Sequence, residues 1–161
     1  MTASHTYRTT LAWSGATGVG YDAYPREHHV APGELPAVVM SSDPHFRGDP
    51  AKVNPEQLLV MAASSCQLLS FLAVAARARL DVIDYRDEAE GVMPEADPPM
   101  WITRIELRPV VTLASGSRLD QLERLTRIAH QECFIANSLR SEITVDARFV
   151  IGGETAATAR C

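Results

Sequence analysis

Leu58 to Ala76 reads LLVMAASSCQLLSFLAVAA, nineteen residues without a charge. That is close to the ~20 apolar residues with which a helix crosses a bilayer. Four polar residues, Ser64, Ser65, Gln67 and Ser70, interrupt its middle, and no second apolar run of this length follows. A buried core helix is therefore expected, not a membrane span. Such a helix is apolar on nearly every side and must be covered on nearly every side, which one small domain does poorly alone. A partner subunit is the expected solution. The helix start is written just upstream. Asn54 suits the N-cap, Pro55 the first helical position where its missing N–H costs nothing, and Glu56 the positive end of the helix. The spacing predicts a helix running to about Arg79.

Before this helix, Thr6 to Trp13 has strand composition. Ser14 to Gly20, with three glycines, reads as a hairpin connection, because it lacks the G-x-G-x-x-G order and the following helix of a phosphate loop. Tyr24 to Val30 (YPREHHV) reads as a short strand, and Pro32 to Pro50 as a long irregular loop. After the helix, Val82 to Met93 and Trp101 to Leu113 form an expected pair of long strands joined by the Pro-rich loop from Pro94 to Pro99. The acidic cluster Asp87, Glu88 and Glu90 reads as a solvated strand face. Ser117 and Asp120 suggest a cap opening a second helix with Leu119, Leu122, Ala129 and Cys133 on one face. One more turn near Ala136 to Arg140, a final strand from Glu142 to Ile151 and a mobile tail over 152–161 complete a single domain, 1–161.

The whole chain has 161 residues, 15 Lys and Arg against 20 Asp and Glu, and a formal charge of −5. Without basic runs it lacks the footprint of a nucleic-acid binder. The polar start, Met1 to Thr10, has no apolar leader core, so a cytoplasmic protein is expected, with no membrane and no nucleic acid among its partners.

Cys66, Cys133 and Cys161 are an odd count without CxxC spacing, which argues against a disulfide scaffold or a zinc ribbon. Cys66 and Cys133 each fall on a packed helix face. Three readings remain open: two small core residues, a metal site in which His130 and Cys133 at i, i+3 join Cys66, or a redox thiol pair. The third sets a condition. A thiol in mid-helix gains nothing from the helix N-terminus and burial raises its pKa, so a reactive thiolate there needs a nearby cation, supplied by an arginine.

Asn54-Pro55-Glu56-Gln57-Leu58-Leu59, Ala62-Ala63-Ser64-Ser65-Cys66, and, far downstream, Ala129-His130-Gln131-Glu132-Cys133 with Asn137-Ser138 together resemble the OsmC/Ohr family of hydroperoxide-reducing proteins. The resemblance covers most of the chain in element order and points to the OsmC-like branch. It implies an α+β fold, an intertwined homodimer with two central helices per chain packed between β-sheets, and active sites at the dimer interface. It further implies that Cys66 is the peroxidatic cysteine, Cys133 the resolving cysteine, and Glu56 the carboxylate that orients a catalytic arginine. Arg26 is the best match for that arginine, with Arg47 the fallback and Arg8 earlier in the chain. Substrate would be an organic hydroperoxide and the reductant a dithiol, with no cofactor and no metal. Glu56 and Cys66 are ten residues apart, a rise of about 15 Å along a helix, so Glu56 would have to serve the site of a partner chain. Two departures stand out: Phe134-Ile135-Ala136 follows the second cysteine where many members have proline, and the loop from Pro32 to Pro50 is long. The rival from another class is a non-catalytic dimeric module that binds a small hydrophobic ligand, with both cysteines structural.

Overall fold

Asn54 opens the long helix α1 (Pro55–Arg77) by a reciprocal cap. Its side-chain oxygen accepts from Gln57 N–H at 2.8 Å, and its own N–H donates to Gln57 Oε1 at 3.1 Å. The other end closes two residues before the expected Arg79. Arg79 takes a left-handed φ of 57°. Its N–H reaches Ala76 O at 3.1 Å, and Leu80 N–H reaches Ala75 O at 2.9 Å, the pattern that satisfies the last carbonyls of a helix.

The computed structural model describes residues 3–96 and 98–161; Met1, Thr2 and Asp97 fall outside it, and with Asp97 part of the loop from Pro94 to Pro99. The chain forms two compact units, Met1–Leu58 and Leu59–Cys161. The first holds an antiparallel sheet of β1 (Thr9–Ala12), β2 (His28–Pro32) and β3 (Val38–Met40), in that order. The glycine-rich segment therefore does connect two paired strands, although β2 begins four residues later than Tyr24. The stretch from Pro32 to Pro50 is not irregular throughout. It contains β3 and a 3-10 turn, Pro44–Phe46, capped by Asp43, whose side chain accepts from His45 N–H at 2.8 Å. Gly48 closes this turn against the Ser42 carbonyl so tightly that a Cβ would sit 1.6 Å from its oxygen.

The second unit is built on a sheet of β4 (Val82–Asp87), β5 (Glu90–Val92), β6 (Arg104–Leu107), β7 (Pro109–Leu113), β8 (Glu142–Ile151) and β9 (Glu154–Arg160). The order is β4-β7-β8-β6-β5, with β9 on β8. The two long strands expected over 82–93 and 101–113 are each cut in two. β4 pairs with β7 and β5 with β6, while β8 runs parallel to β6 and then to β7. At the cut, Arg108 N–H leaves the ladder for Asp87 Oδ1 at 2.8 Å, and Pro109 begins β7 where no donor is needed. Asp87 also accepts from Ser64 Oγ at 2.5 Å, so it ties α1 to the sheet instead of facing solvent as expected. Gly91 is needed where α1 crosses β5, since a Cβ there would lie 2.6 Å from Val60 Cγ2.

The second helix, α2 (Leu122–Gln131), starts five residues after Ser117. The Ser117 hydroxyl donates to Ala114 O at 2.7 Å and caps no helix, and Leu119 is exposed. Leu122, Leu125, Thr126 and Ala129 form its buried face. The expected turn past Ala136 and the strand from Glu142 to Ile151 are both present. The tail is not loose. β9 pairs along β8, and Cys161, half-buried, exchanges both backbone hydrogen bonds with Val145 at 2.7 and 2.9 Å. The core lies between sheet and helices, where Phe71 of α1 meets Phe149 of β8 at 5.8 Å between ring centroids. Only one face of α1 is covered: Ala63, Gln67, Phe71, Val74 and Ala75 are buried. On the other side Met61 is 56% and Leu69 is 64% exposed, with Leu58 and Leu72 beside them.

Candidate active site

Cys66 stands in the middle of α1 and is half-buried; Cys133 follows the last turn of α2 and is 1% exposed. The long sequence separation closes in space. Cys66 and Cys133 lie near enough for the first to raise the pKa of the second, and both are free thiols. Burial pushes the Cys133 thiol up to about 11; the Ala136 amide pulls it back, Cys66 pushes it further up, and the Ile135 amide again lowers it. Cys133 is thus a protonated thiol at neutral pH. Burial lowers the pKa of His130, and its Nδ1 is buried without a hydrogen-bond partner. Tyr85, on β4, is raised well above the ordinary phenol range by burial, then by Asp87 and Cys133. No group of three His, Cys, Asp or Glu side chains close enough to hold a metal ion occurs among the described residues.

The turn after α2 carries a group that no side-chain motif announces. Ile135 N–H donates to Cys66 Sγ at 3.4 Å. Mid-helix position denies Cys66 the dipole of its own helix, and this amide comes from an element 69 residues away. The cation demanded by the sequence argument is therefore not the only source of support for a thiolate here. Asn137 holds the turn. Its Nδ2 donates to Gln131 O at 2.8 Å and to Cys133 O at 2.9 Å, and its N–H donates to Cys133 O at 3.0 Å. An Arg77–Glu132 ion pair joins the end of α1 to the residue before Cys133.

The remaining expected site residues lie in the first unit. Arg26 donates to Tyr24 O at 2.5 Å and to Tyr21 O. Its guanidinium lies 3.6 Å from the Tyr24 ring centroid and 4.7 Å from that of Tyr21. Glu56, half-buried in the first turn of α1, forms no ion pair with it: within one chain, carbonyls and aromatic faces occupy the guanidinium in place of the carboxylate. Arg47 takes a left-handed φ of 66° and pairs with Asp22 at 3.0 Å on the surface. Arg8 contributes its carbonyl to Gly33 N–H. Reading by residue type missed Ile135 and the part played by Asn137; the Asn137-Ser138 pair stood in the motif without a role.

Comparison with known proteins defines the class. Residues 48–148 match the family described as OsmC-like protein. A solved OsmC-like protein of unknown function from Vibrio cholerae O1 biovar eltor str. N16961 is 30% identical, with a TM-score of 0.80 over 91% of this chain and 100% of that one. An organic hydroperoxide resistance protein from Legionella pneumophila, 18% identical, superposes with a TM-score of 0.64 over 93% of this chain and 98% of its own, a likeness of fold. The uncharacterised protein YmaD of Bacillus subtilis (strain 168) is 26% identical over 106 residues, 63% of this chain and 71% of YmaD. The chain belongs to the OsmC-like family, and its α+β fold is that of the organic hydroperoxide resistance proteins.

Proposed function

We propose that the protein is a thiol-dependent peroxidase that reduces organic hydroperoxides to alcohols, with Cys66 as the attacking thiol and Cys133 as the resolving one. The observation that carries this reading is that the turn after Cys133 closes on Cys66, Ile135 N–H reaching Cys66 Sγ at 3.4 Å, which brings two free thiols in unlike settings together, one half-buried under an amide donor and one buried. The Cys66 thiolate attacks the distal peroxide oxygen. An S–O bond forms, the O–O bond breaks, and the alkoxide takes a proton and leaves as the alcohol. Cys133 sulfur then displaces the oxygen of the Cys66 sulfenic acid as water, giving a Cys66–Cys133 disulfide. A dithiol reduces this bond and returns both thiols. A module that merely bound a hydrophobic ligand would have no use for two thiols brought together.

Arg26 is the proposed cation beside the reacting sulfur, polarising the O–O bond, and Glu56 the carboxylate that aligns its planar fork. The ten residues between Glu56 and Cys66 on continuous α1 amount to about 15 Å, more than a glutamate side chain spans, so Glu56 is assigned to the site of a second copy. The uncovered stripe of Leu58, Met61, Leu69 and Leu72 is the surface on which that copy packs. The working unit is then a cytoplasmic homodimer. Mass spectrometry after one equivalent of cumene hydroperoxide tests the chemistry. A loss of two hydrogens mapped to Cys66 and Cys133 is expected; two thiols that remain open to alkylation would refute it.

A further inference from the structure

The carbonyls of the last turn of a helix have no partner within it. At the end of α2 one side chain answers for one of them and for a carbonyl of the turn that follows. Asn137 Nδ2 bonds Gln131 O and Cys133 O, while Asn137 N–H also closes on Cys133 O. Ser138 completes the turn, donating from its hydroxyl to Phe134 O at 2.7 Å and from its N–H to Ile135 O at 3.0 Å. Ile135 is held at φ −69° and ψ −42°. Its carbonyl is engaged inside the turn, whereas its N–H leaves the turn and ends on Cys66 Sγ. An N–H aimed at a sulfur favours the anionic form of that sulfur and its transition state for attack.

We propose that the main-chain N–H of Ile135 is the hydrogen-bond donor of the reacting Cys66 sulfur and that Asn137 is the positioning residue that holds it there. This rests on Cys66 being the attacking thiol. The donor belongs to the same eight-residue stretch as Cys133, so one clamp sets both the activation of the first thiol and the reach of the second. The titratable groups that meet this stretch are Cys133, whose pKa Cys66 raises, Tyr85, which interacts with Cys133, and Glu132, paired with Arg77.

The test removes the donor without bending the chain. The φ of Ile135 is one that proline adopts, so Ile135→Pro deletes the N–H at a compatible backbone angle, and Ile135→Val keeps it as the control. Asn137→Asp keeps the shape of the clamp and its main-chain N–H but loses the Nδ2 donors. Two readouts are taken on the full chain: the pH profile of Cys66 alkylation by iodoacetamide, and the rate of Cys66 sulfenic acid formation with cumene hydroperoxide. Ile135→Pro and Asn137→Asp should move the alkylation profile to higher pH and slow oxidation roughly tenfold, the scale of one hydrogen bond to a charged group. Ile135→Val should match the wild type. A folded Ile135→Pro chain with a wild-type alkylation profile would overturn the assignment. If neither clamp variant folds, the wild-type Ile135 amide resonance decides: it must shift as Cys66 ionises, and an unmoved resonance overturns the proposal. A wild-type chain that forms no disulfide, yet whose alkylation profile moves in Ile135→Pro, would remove the peroxidase reading and leave the donor in place.

Discussion

Replacing Cys66 by serine leaves Cys133 in its buried place and exposes how inert that thiol is. Burial, the largest cause of its pKa near 11, stays, and only the smaller share that comes from Cys66 goes with the substitution. At the wild-type value about one Cys133 in 10⁴ is a thiolate at pH 7, against ~3% for an ordinary thiol near 8.5, so protonation slows alkylation by at most about 300-fold. The more basic thiolate is intrinsically the better nucleophile, which returns about tenfold, so protonation leaves a net deficit of at most roughly 30-fold before access is considered. At 1% exposure, access can only enlarge it. The assay is the time course of iodoacetamide labelling of Cys133 in Cys66→Ser, followed by peptide mass spectrometry in buffer and again in denaturant. Labelling should be at least an order of magnitude slower in the folded chain. Equal rates would mean that Cys133 is neither buried nor protonated, and the division of labour between the two thiols would collapse.

Leu69→Arg places a charge in the centre of the uncovered α1 stripe; sedimentation should show a folded chain of half the wild-type mass, and a folded monomer of the wild type at micromolar concentration would contradict the dimer. Mixing Glu56→Ala with Cys66→Ser subunits should restore partial activity, because one site of the mixed dimer then carries neither lesion; no recovery with subunit exchange confirmed would mean that both residues act within one chain or that Glu56 has no catalytic role. Cys133→Ser should complete one oxidation and stop as a sulfenic acid, read by dimedone labelling, while Cys66→Ser should be inactive. Stability should fall as pH rises from the ordinary thiol range through about 11, since the buried Cys133 binds its proton more tightly folded than unfolded; thermal melts over that range would show a flat curve if burial were incomplete.

Much of this molecule is legible because its signals are local. The Asn54 cap, Pro55 and the uncharged run from Leu58 specify α1, and alternation over Glu142 to Ile151 specifies β8. What escaped reading depends on distant partners. The strands over 82–93 and 101–113 are cut by Asp87, which captures the Arg108 amide, and alternation within each strand carries no trace of that. The sequence ETAATAR is poor in strand-forming residues, yet β9 forms because β8 offers it a paired edge. Ser117 looked like a cap because a serine hydroxyl serves a turn as readily as a helix. In the candidate site the two cysteines are visible as motifs. The Ile135 donor is not, because a backbone amide has no letter of its own.

The position of β8 orders events during synthesis. It pairs with β6, β7 and β9 and supplies Phe149 beneath Phe71, so it is the floor on which α1 rests. The helix is finished by Arg77, whereas its floor begins at Glu142. As the chain leaves the ribosome, the face of α1 that packs on Phe149 stays bare until β8, which starts 65 positions after Arg77, has been made. Non-local pairing of this kind lengthens the exposure of apolar surface to aggregation, and here that exposure lasts until β8 arrives.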